Sequence, residues 1–242
     1  MPHGTPDWGL VGPKKTTYGL DDLGEHAVRL GSPVLWDRRG DVLVADAFDR
    51  GLGEWNWNYN GTGADVQLWT GENRQGAYCV NLVAGKTTNG WAGISRAIPY
   101  AVRSRIGLEA SVGLDADTSN WQWAITWRDG AWVWDARMRY DFQNQVLQYY
   151  DDAAAWQTFA TGVKVRAWSG AWSTGKLVVD LTTQEYVRAL FADHEYDLSA
   201  YGIVKSTTAT VVELTVSLIQ FGVLGANPEG KVDSVIVTRN EP

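Results

Sequence analysis

A single cysteine, Cys79, excludes any disulfide within the chain. It sits in the apolar run Ala77-Tyr78-Cys79-Val80, which predicts a buried small hydrophobe in place of a reactive thiol. The three histidines, His3, His26 and His194, lie far apart, and no cysteine–histidine spacing suits zinc, so no transition-metal site is expected. Positive charge is also scarce. A formal net charge of −7 argues against general affinity for nucleic acid or anionic membrane, both of which need a basic footprint. No segment stays apolar for the ~18 residues that a membrane-spanning helix needs. The opening Met1-Pro2-His3-Gly4-Thr5-Pro6-Asp7-Trp8-Gly9 lacks a basic stretch followed by an apolar one, so neither a secretory precursor nor a membrane protein is expected. Neither a G-x-S-x-G elbow nor a G-x-x-x-x-G-K-[ST] loop occurs, leaving serine hydrolase and P-loop phosphate chemistry without support. No cofactor is implied.

Aromatic rings are abundant: 14 tryptophans and 10 tyrosines in 242 residues, with 45% of the chain hydrophobic. That is enough to close a large core, and all-β domains of this length commonly form one unit. The texture changes near residue 40. Residues 1–40 are interrupted by Gly4, Pro6, Gly9, Gly12, Pro13, Gly19, Gly31 and Pro33 and read as an arm. Within it Leu20, Leu23, Ala27 and Leu30 recur at helical spacing, Asp21 and Asp22 suit a first turn, and Gly31 suits a stop, predicting one short helix. Trp8, Leu10, Tyr18, Leu20, Leu23, Leu30 and Trp36 are too few to make a separate core, so the arm is expected to dock on a neighbouring subunit of an oligomer.

From residue 41 to 242, strand-like runs succeed one another with turn residues between. Val42–Phe48, Tyr78–Val83, Trp91–Ile98, Arg105–Val112, Trp121–Arg128, Trp132–Tyr140, Val146–Tyr150, Leu177–Leu181, Tyr186–Phe191, Val211–Phe221 and Val232–Val237 predict an all-β, antiparallel two-sheet sandwich. The dipeptide Asp129-Gly130 is a strong two-residue turn signal. Taking it as the turn pairs Trp127 with Trp132, Ile125 with Trp134, Trp123 with Ala136 and Trp121 with Met138 on one face, which is then core. The other face carries Asn120, Gln122, Ala124 and Thr126 against Arg139, Arg137, Asp135 and Val133 and meets solvent or ligand. A further turn at Gln143-Asn144 pairs Tyr140 with Leu147 and Met138 with Tyr149.

Candidate chemistry is sparse. Asp193, Glu195 and Asp197 alternate as a glycosidase pair would on a strand, but they follow a predicted strand at a turn-like position with no sign of burial. No catalysis is expected of them. Asp115, Asp117 and Asn120 offer closely spaced oxygen ligands of the kind calcium takes, without the EF-hand glycine and final glutamate; a solvated turn is the simpler reading. Arg39-Gly40-Asp41 matches an integrin-binding tripeptide and equally a turn into the first strand. The run Trp55-Asn56-Trp57-Asn58-Tyr59-Asn60 sets rings on one side and amides on the other, so Trp55, Trp57 and Tyr59 are either core or a sugar-stacking platform. With the polar hairpin side chains Gln122, Asp135, Arg137 and Arg139 they make up the candidate glycan contacts.

The segment Asp46-Ala47-Phe48-Asp49-Arg50-Gly51-Leu52-Gly53-Glu54-Trp55 resembles the opening strand and turn of concanavalin-like or laminin-G-like jelly rolls. Gly230-Lys231-Val232-Asp233-Ser234-Val235-Ile236-Val237 resembles their last strand. In the arm, Thr5-Pro6-Asp7-Trp8-Gly9, Tyr18-Gly19-Leu20-Asp21-Asp22-Leu23-Gly24-Glu25, Arg29-Leu30-Gly31-Ser32 and Asp37-Arg38-Arg39-Gly40-Asp41-Val42 look like the leader of tailed-bacteriophage structural proteins. The first resemblance implies a jelly-roll body. The second implies a virion component, a capsid decoration or head or tail surface protein, made in a bacterial cytoplasm and displayed on the particle beside other virion subunits. The expected function is therefore a non-catalytic structural one, with a carbohydrate-binding module or lectin-like domain as the first alternative and a concanavalin-like glycoside hydrolase or lyase as the second.

Deleting residues 1–33 is expected to leave a folded, soluble body that no longer assembles, as read by light scattering and thermal melting. Loss of the cooperative melt, or undiminished assembly, would show that the arm belongs to the fold or is dispensable.

Overall fold

The computed structural model describes residues 39–74, 76–98, 103–114, 120–167, 170–207 and 211–242. They form sixteen strands in two antiparallel eight-stranded sheets, with no helix among the described residues. The expected arm helix, and the arm residues Trp8, Leu10, Tyr18, Leu20, Leu23, Leu30 and Trp36, lie outside the described residues.

Sheet I holds β1 (Asp41–Asp46), β3 (Asp65–Trp69), β4 (Cys79–Val83), β6 (Arg105–Leu114), β11 (Trp172–Asp180), β12 (Glu185–Phe191), β13 (His194–Asp197) and β16 (Glu229–Arg239). Its order is β13-β12-β11-β6-β16-β4-β3, with β1 also pairing β16. Sheet II holds β2 (Asn56–Asn60), β5 (Trp91–Ile98), β7 (Asn120–Asp129), β8 (Trp132–Asp141), β9 (Val146–Tyr150), β10 (Trp156–Thr161), β14 (Val204–Thr207) and β15 (Val212–Phe221). Its order is β10-β9-β8-β7-β15-β5-β2, with β14 pairing β8. Alternation along each strand sends one side-chain set inward. Leu108, Val112, Leu177, Val179 and Val235 from sheet I meet Ile94, Trp121, Trp123, Ile125, Met138, Val216 and Leu218 from sheet II in one buried cluster. Cys79 is fully buried, as its apolar neighbours predict.

The β7–β8 hairpin keeps its predicted faces but not its predicted register. Trp127 pairs with Trp134, Ile125 with Ala136, Trp123 with Met138 and Trp121 with Tyr140. The turn explains the shift. Gly130 takes φ +90°, the left-handed region that glycine tolerates, while the Asp129 carboxylate accepts the N–H groups of Ala131 (3.0 Å) and Trp132 (2.7 Å). Gly130 and Ala131 thus become the two connecting residues, one step later than the dipeptide suggests. Because the shift is two residues, every side chain stays on its face. One expectation fails: Trp132 lies beyond the core and is 37% exposed, with the Lys205 ammonium 3.7 Å from its ring centroid. The next connection matches, with Tyr140 opposite Leu147 and Met138 opposite Tyr149.

Trp123 anchors the two sheets. Its indole meets Phe191 edge-on at 5.9 Å, and Phe191 in turn stacks on Tyr140 at 5.0 Å. Opposite it on β11 stands Gly175, where an added Cβ would come within 2.8 Å of the Trp123 ring. Only a bare backbone leaves room for that ring. Truncating Trp123 to alanine removes this contact and is expected to cost about 3–5 kcal/mol in denaturant unfolding. An unchanged midpoint would contradict the core assignment.

Candidate functional site

The outer face of sheet II gathers polar and aromatic side chains in rows that the strand register dictates. One row runs from Asn58 across Gly93, Ile219, Gln122, Arg139 and Gln148 to Thr158. The next holds Asn56, Ser95, Ser217, Ala124 and Arg137. Small residues at Gly93, Ser95, Ser217 and Ala124 therefore form a low floor. Two depressions lie over it. The larger, 300 Å³, is lined by Asn56, Trp57, Asn58 and Trp91 along one side and by Gly93, Ile94, Ser95, Ser217 and Ile219. The smaller, 190 Å³, shares Trp91, Ser217 and Ile219 with it and continues to Gln122, Thr126, Asp135 and Arg137. The shared residues make them parts of one shallow groove.

Arginine–aromatic pairs flank the groove on the β8–β10 side. The Arg139 guanidinium lies 4.1 Å from the Trp156 ring centroid and Arg137 lies 5.0 Å from that of Tyr150. The two rings are themselves 5.0 Å apart. Arg137 is matched by Asp135, to which its Nε donates at 2.8 Å, and Asp135 also accepts from Thr126 at 3.3 Å. Burial pulls the Arg137 pKa down, but the hydrogen bond and charge of Asp135 outweigh it and the net shift is upward. Arg139 donates from Nε to Gln148 at 2.6 Å, and Gln148 donates onward to Thr158 at 3.1 Å. Burial lowers the Arg139 pKa, and the charge of Asp141 opposes that only in part.

A buttress from the other sheet holds this side in place. Along its outer edge β8 pairs with β14 over Trp132–Asp135 and with β9 over Met138–Asp141. Arg137 falls in the gap between the two partners. There the Tyr186 hydroxyl, reaching across the core from β12, accepts the Arg137 backbone N–H at 2.8 Å and donates to the Tyr150 carbonyl at 2.7 Å. It replaces the missing ladder bonds. Burial pushes the phenol well above its usual pKa, so it stays protonated and able to donate.

Of the sequence-based glycan candidates, Gln122, Asp135, Arg137 and Arg139 come together on this face. Trp55 does not: it precedes β2, is buried against Phe48 and donates its indole N–H to Asp46 at 2.8 Å. That position, outside the strand, breaks the expected parity with Trp57. Trp57, 53% exposed, and Tyr59 instead project from the edge strand β2 on the side opposite Asn56 and Asn58, their rings parallel within 7° at 6.2 Å. Sequence reasoning did not find Trp91, Tyr150, Trp156 and Ser217. The alternation of Ala92 and Ile94 with Gly93 and Ser95 was the available signal for the small-residue floor.

The remaining candidates lie elsewhere. Asp193 lies in the turn between β12 and β13, as its turn-like position suggested, whereas Glu195 and Asp197 fall on β13, an edge strand of sheet I. Asp193 contacts His194, Glu195 binds Arg39 through both carboxylate oxygens (2.7 and 3.2 Å), and Asp197 accepts the Ser199 N–H, which holds its carboxyl below the usual range. Arg39 and Gly40 lead into β1 at Asp41, as the turn reading of that tripeptide expects. Asp115 and Asp117 lie outside the described residues, and Asn120 opens β7 opposite Asp141. Among the described residues no three histidine, cysteine, aspartate or glutamate side chains cluster as metal ligands.

No protein-family model and no curated protein sequence matches the chain. Solved structures do. The chain is similar to an endo-β-1,4-glucuronan lyase from the fungus Trichoderma reesei, with TM-score 0.53 and 12% identity over 82% of this chain and 96% of the lyase. It is similar also to a carbohydrate esterase from the Shiga toxin-encoding bacteriophage phi24B, with TM-score 0.50 and 11% identity over 84% of this chain and all of the esterase. At such identities the likeness is one of fold: a concanavalin-like jelly-roll β-sandwich.

Replacing Tyr186 by phenylalanine deletes the hydroxyl and strands the Arg137 N–H and the Tyr150 carbonyl. The expected cost is about 1–3 kcal/mol in chemical unfolding, with altered near-ultraviolet circular dichroism from Tyr150 and Trp156. No change in either would contradict the buttress.

Proposed function

We propose that the chain is a carbohydrate-binding sandwich domain whose ligand lies along the outer face of sheet II. The observation that carries this reading is the groove itself. Its floor is low, its lining holds the Trp91 ring with polar groups at Asn58, Gln122 and Arg137, and the Arg137–Tyr150 and Arg139–Trp156 pairs flank it. Sugars present C–H faces that pack on rings and hydroxyl edges that need donors and acceptors, so such a surface suits a glycan chain. The two fold neighbours are named for carbohydrate chemistry, which agrees with this reading without carrying it.

The domain acts by binding, not by chemistry. Asp135, the carboxylate in the groove lining, is tied to Arg137 and Thr126, and the alternating carboxylates of β13 belong to sheet I. Glycoside hydrolysis needs two carboxyl groups flanking the bond, and among the described residues lining the groove Asp135 is the one carboxylate. The virion structural role expected first from the arm rests on that resemblance alone, and the groove favours the carbohydrate-binding alternative over it. The two are compatible, since a displayed groove on a particle would meet host glycans.

Calorimetry against a panel of soluble polysaccharides is expected to show binding without reducing-sugar release. Trp91→Ala, which removes a ring common to both depressions, should weaken it about tenfold, in line with 1–2 kcal/mol for a lost aromatic contact. Binding that survives Trp91→Ala unchanged and is lost in Tyr59→Ala would move the site to the β2 edge.

A further inference from the structure

We infer that the groove selects glycans that carry carboxylates, and that Arg139 is the residue that reads them. The inference rests on the glycan reading of this face. Its motive is an imbalance of charge. Arg128 is matched by Glu213 and Arg137 by Asp135, whereas no carboxylate among the described residues lies within ion-pair distance of Arg139. Its Nε is spent on Gln148 and its plane is fixed by Trp156, so the fork is held before any ligand arrives. A fixed planar guanidinium with free terminal nitrogens matches a carboxylate in a two-point contact that a hydroxyl cannot make.

The neighbour across the strand pair adds a second observation. Gln122 stands directly opposite Arg139, is only 2% exposed, and its side-chain oxygen has no hydrogen-bond partner. A buried acceptor left unpaired costs free energy that a sugar hydroxyl donating into it would recover. One sugar unit presenting a carboxylate to Arg139 and a hydroxyl to Gln122 would satisfy both orphans together. Partial burial of Arg139 strengthens the demand for an anion, because its charge is incompletely hydrated. The formal net charge of −7 does not forbid this, since repulsion from distant acids is screened beyond about 8 Å at physiological salt.

Uronic and sialic acids share this chemistry, so the test uses polygalacturonate and polysialate oligomers, each beside its carboxyl-reduced counterpart. The full chain is expected to bind at least one acidic oligomer about tenfold more tightly than its reduced form, the difference a charge-assisted pair supplies, and the preference should shrink as salt rises. Arg139→Gln should abolish the preference, so that the acidic and reduced forms bind alike. Arg139→Lys should restore it only in part. Trp91→Ala should weaken both forms alike. Equal binding of acidic and reduced forms would overturn charge selection and leave the groove reading intact. A preference that persists in Arg139→Gln would overturn the role of Arg139. Absence of binding to every glycan, neutral or acidic, would overturn both.

Discussion

One phenol ties the two sheets together at the place where the candidate site is built. Strand β8 changes partner along its outer edge, from β14 to β9, and such a change leaves backbone groups without a ladder. Tyr186 answers this from the opposite sheet. Its ring sits in the core against Tyr149, and its hydroxyl joins the Arg137 N–H to the Tyr150 carbonyl. The change of partner lets β9 and β10 carry Tyr150 and Trp156 to the rim, where they meet Arg137 and Arg139. The groove's cationic side is thus a consequence of how a break in a sheet is repaired. A buried phenol that must both accept and donate can do so only while protonated, and its surroundings hold it so.

The sandwich was legible because its signals are local. Alternation along residues 121–128 and 134–138 placed Trp121, Trp123, Ile125, Trp127, Trp134, Ala136 and Met138 inward even though the pairing was two residues off, since a two-residue shift preserves faces. The turn at Asp129-Gly130 was misplaced by one step because aspartate has two uses there. As a turn residue it would occupy the loop; as a capping carboxylate it stands before it, which is what the contacts to Ala131 and Trp132 show. Trp132 was lost from the predicted core by the same error. Of the two readings offered for Trp55 the core one holds, but it parts from Trp57 because its partnership with Asp46 begins outside the strand, where period-two reasoning has no hold. Short strands such as β3, β13 and β14 lack enough alternation to be seen.

The candidate site was legible in part, and the division is physical. Gln122, Asp135, Arg137 and Arg139 sit on one hairpin, so their shared face follows from local pairing alone. Trp91, Ser217 and Trp156 join them only through the pairing of β5 with β15, of β15 with β7 and of β9 with β10 and β8. The β15 pairings join segments far apart in the chain, and nothing in a local pattern encodes which strand a sheet will place beside another. The burial of Gln122 beneath the rim is likewise a property of the assembled sheet.

The central claim is that the outer face of sheet II, and no other surface of the sandwich, receives a glycan. Backbone amide spectra recorded during titration with a neutral and an acidic tetrasaccharide, cellotetraose and tetragalacturonate, test it directly. The account predicts shifts concentrated at Gly93, Ser95, Gln122, Arg139 and Ser217 for whichever ligand binds. Shifts confined to β11–β13 of sheet I would contradict it.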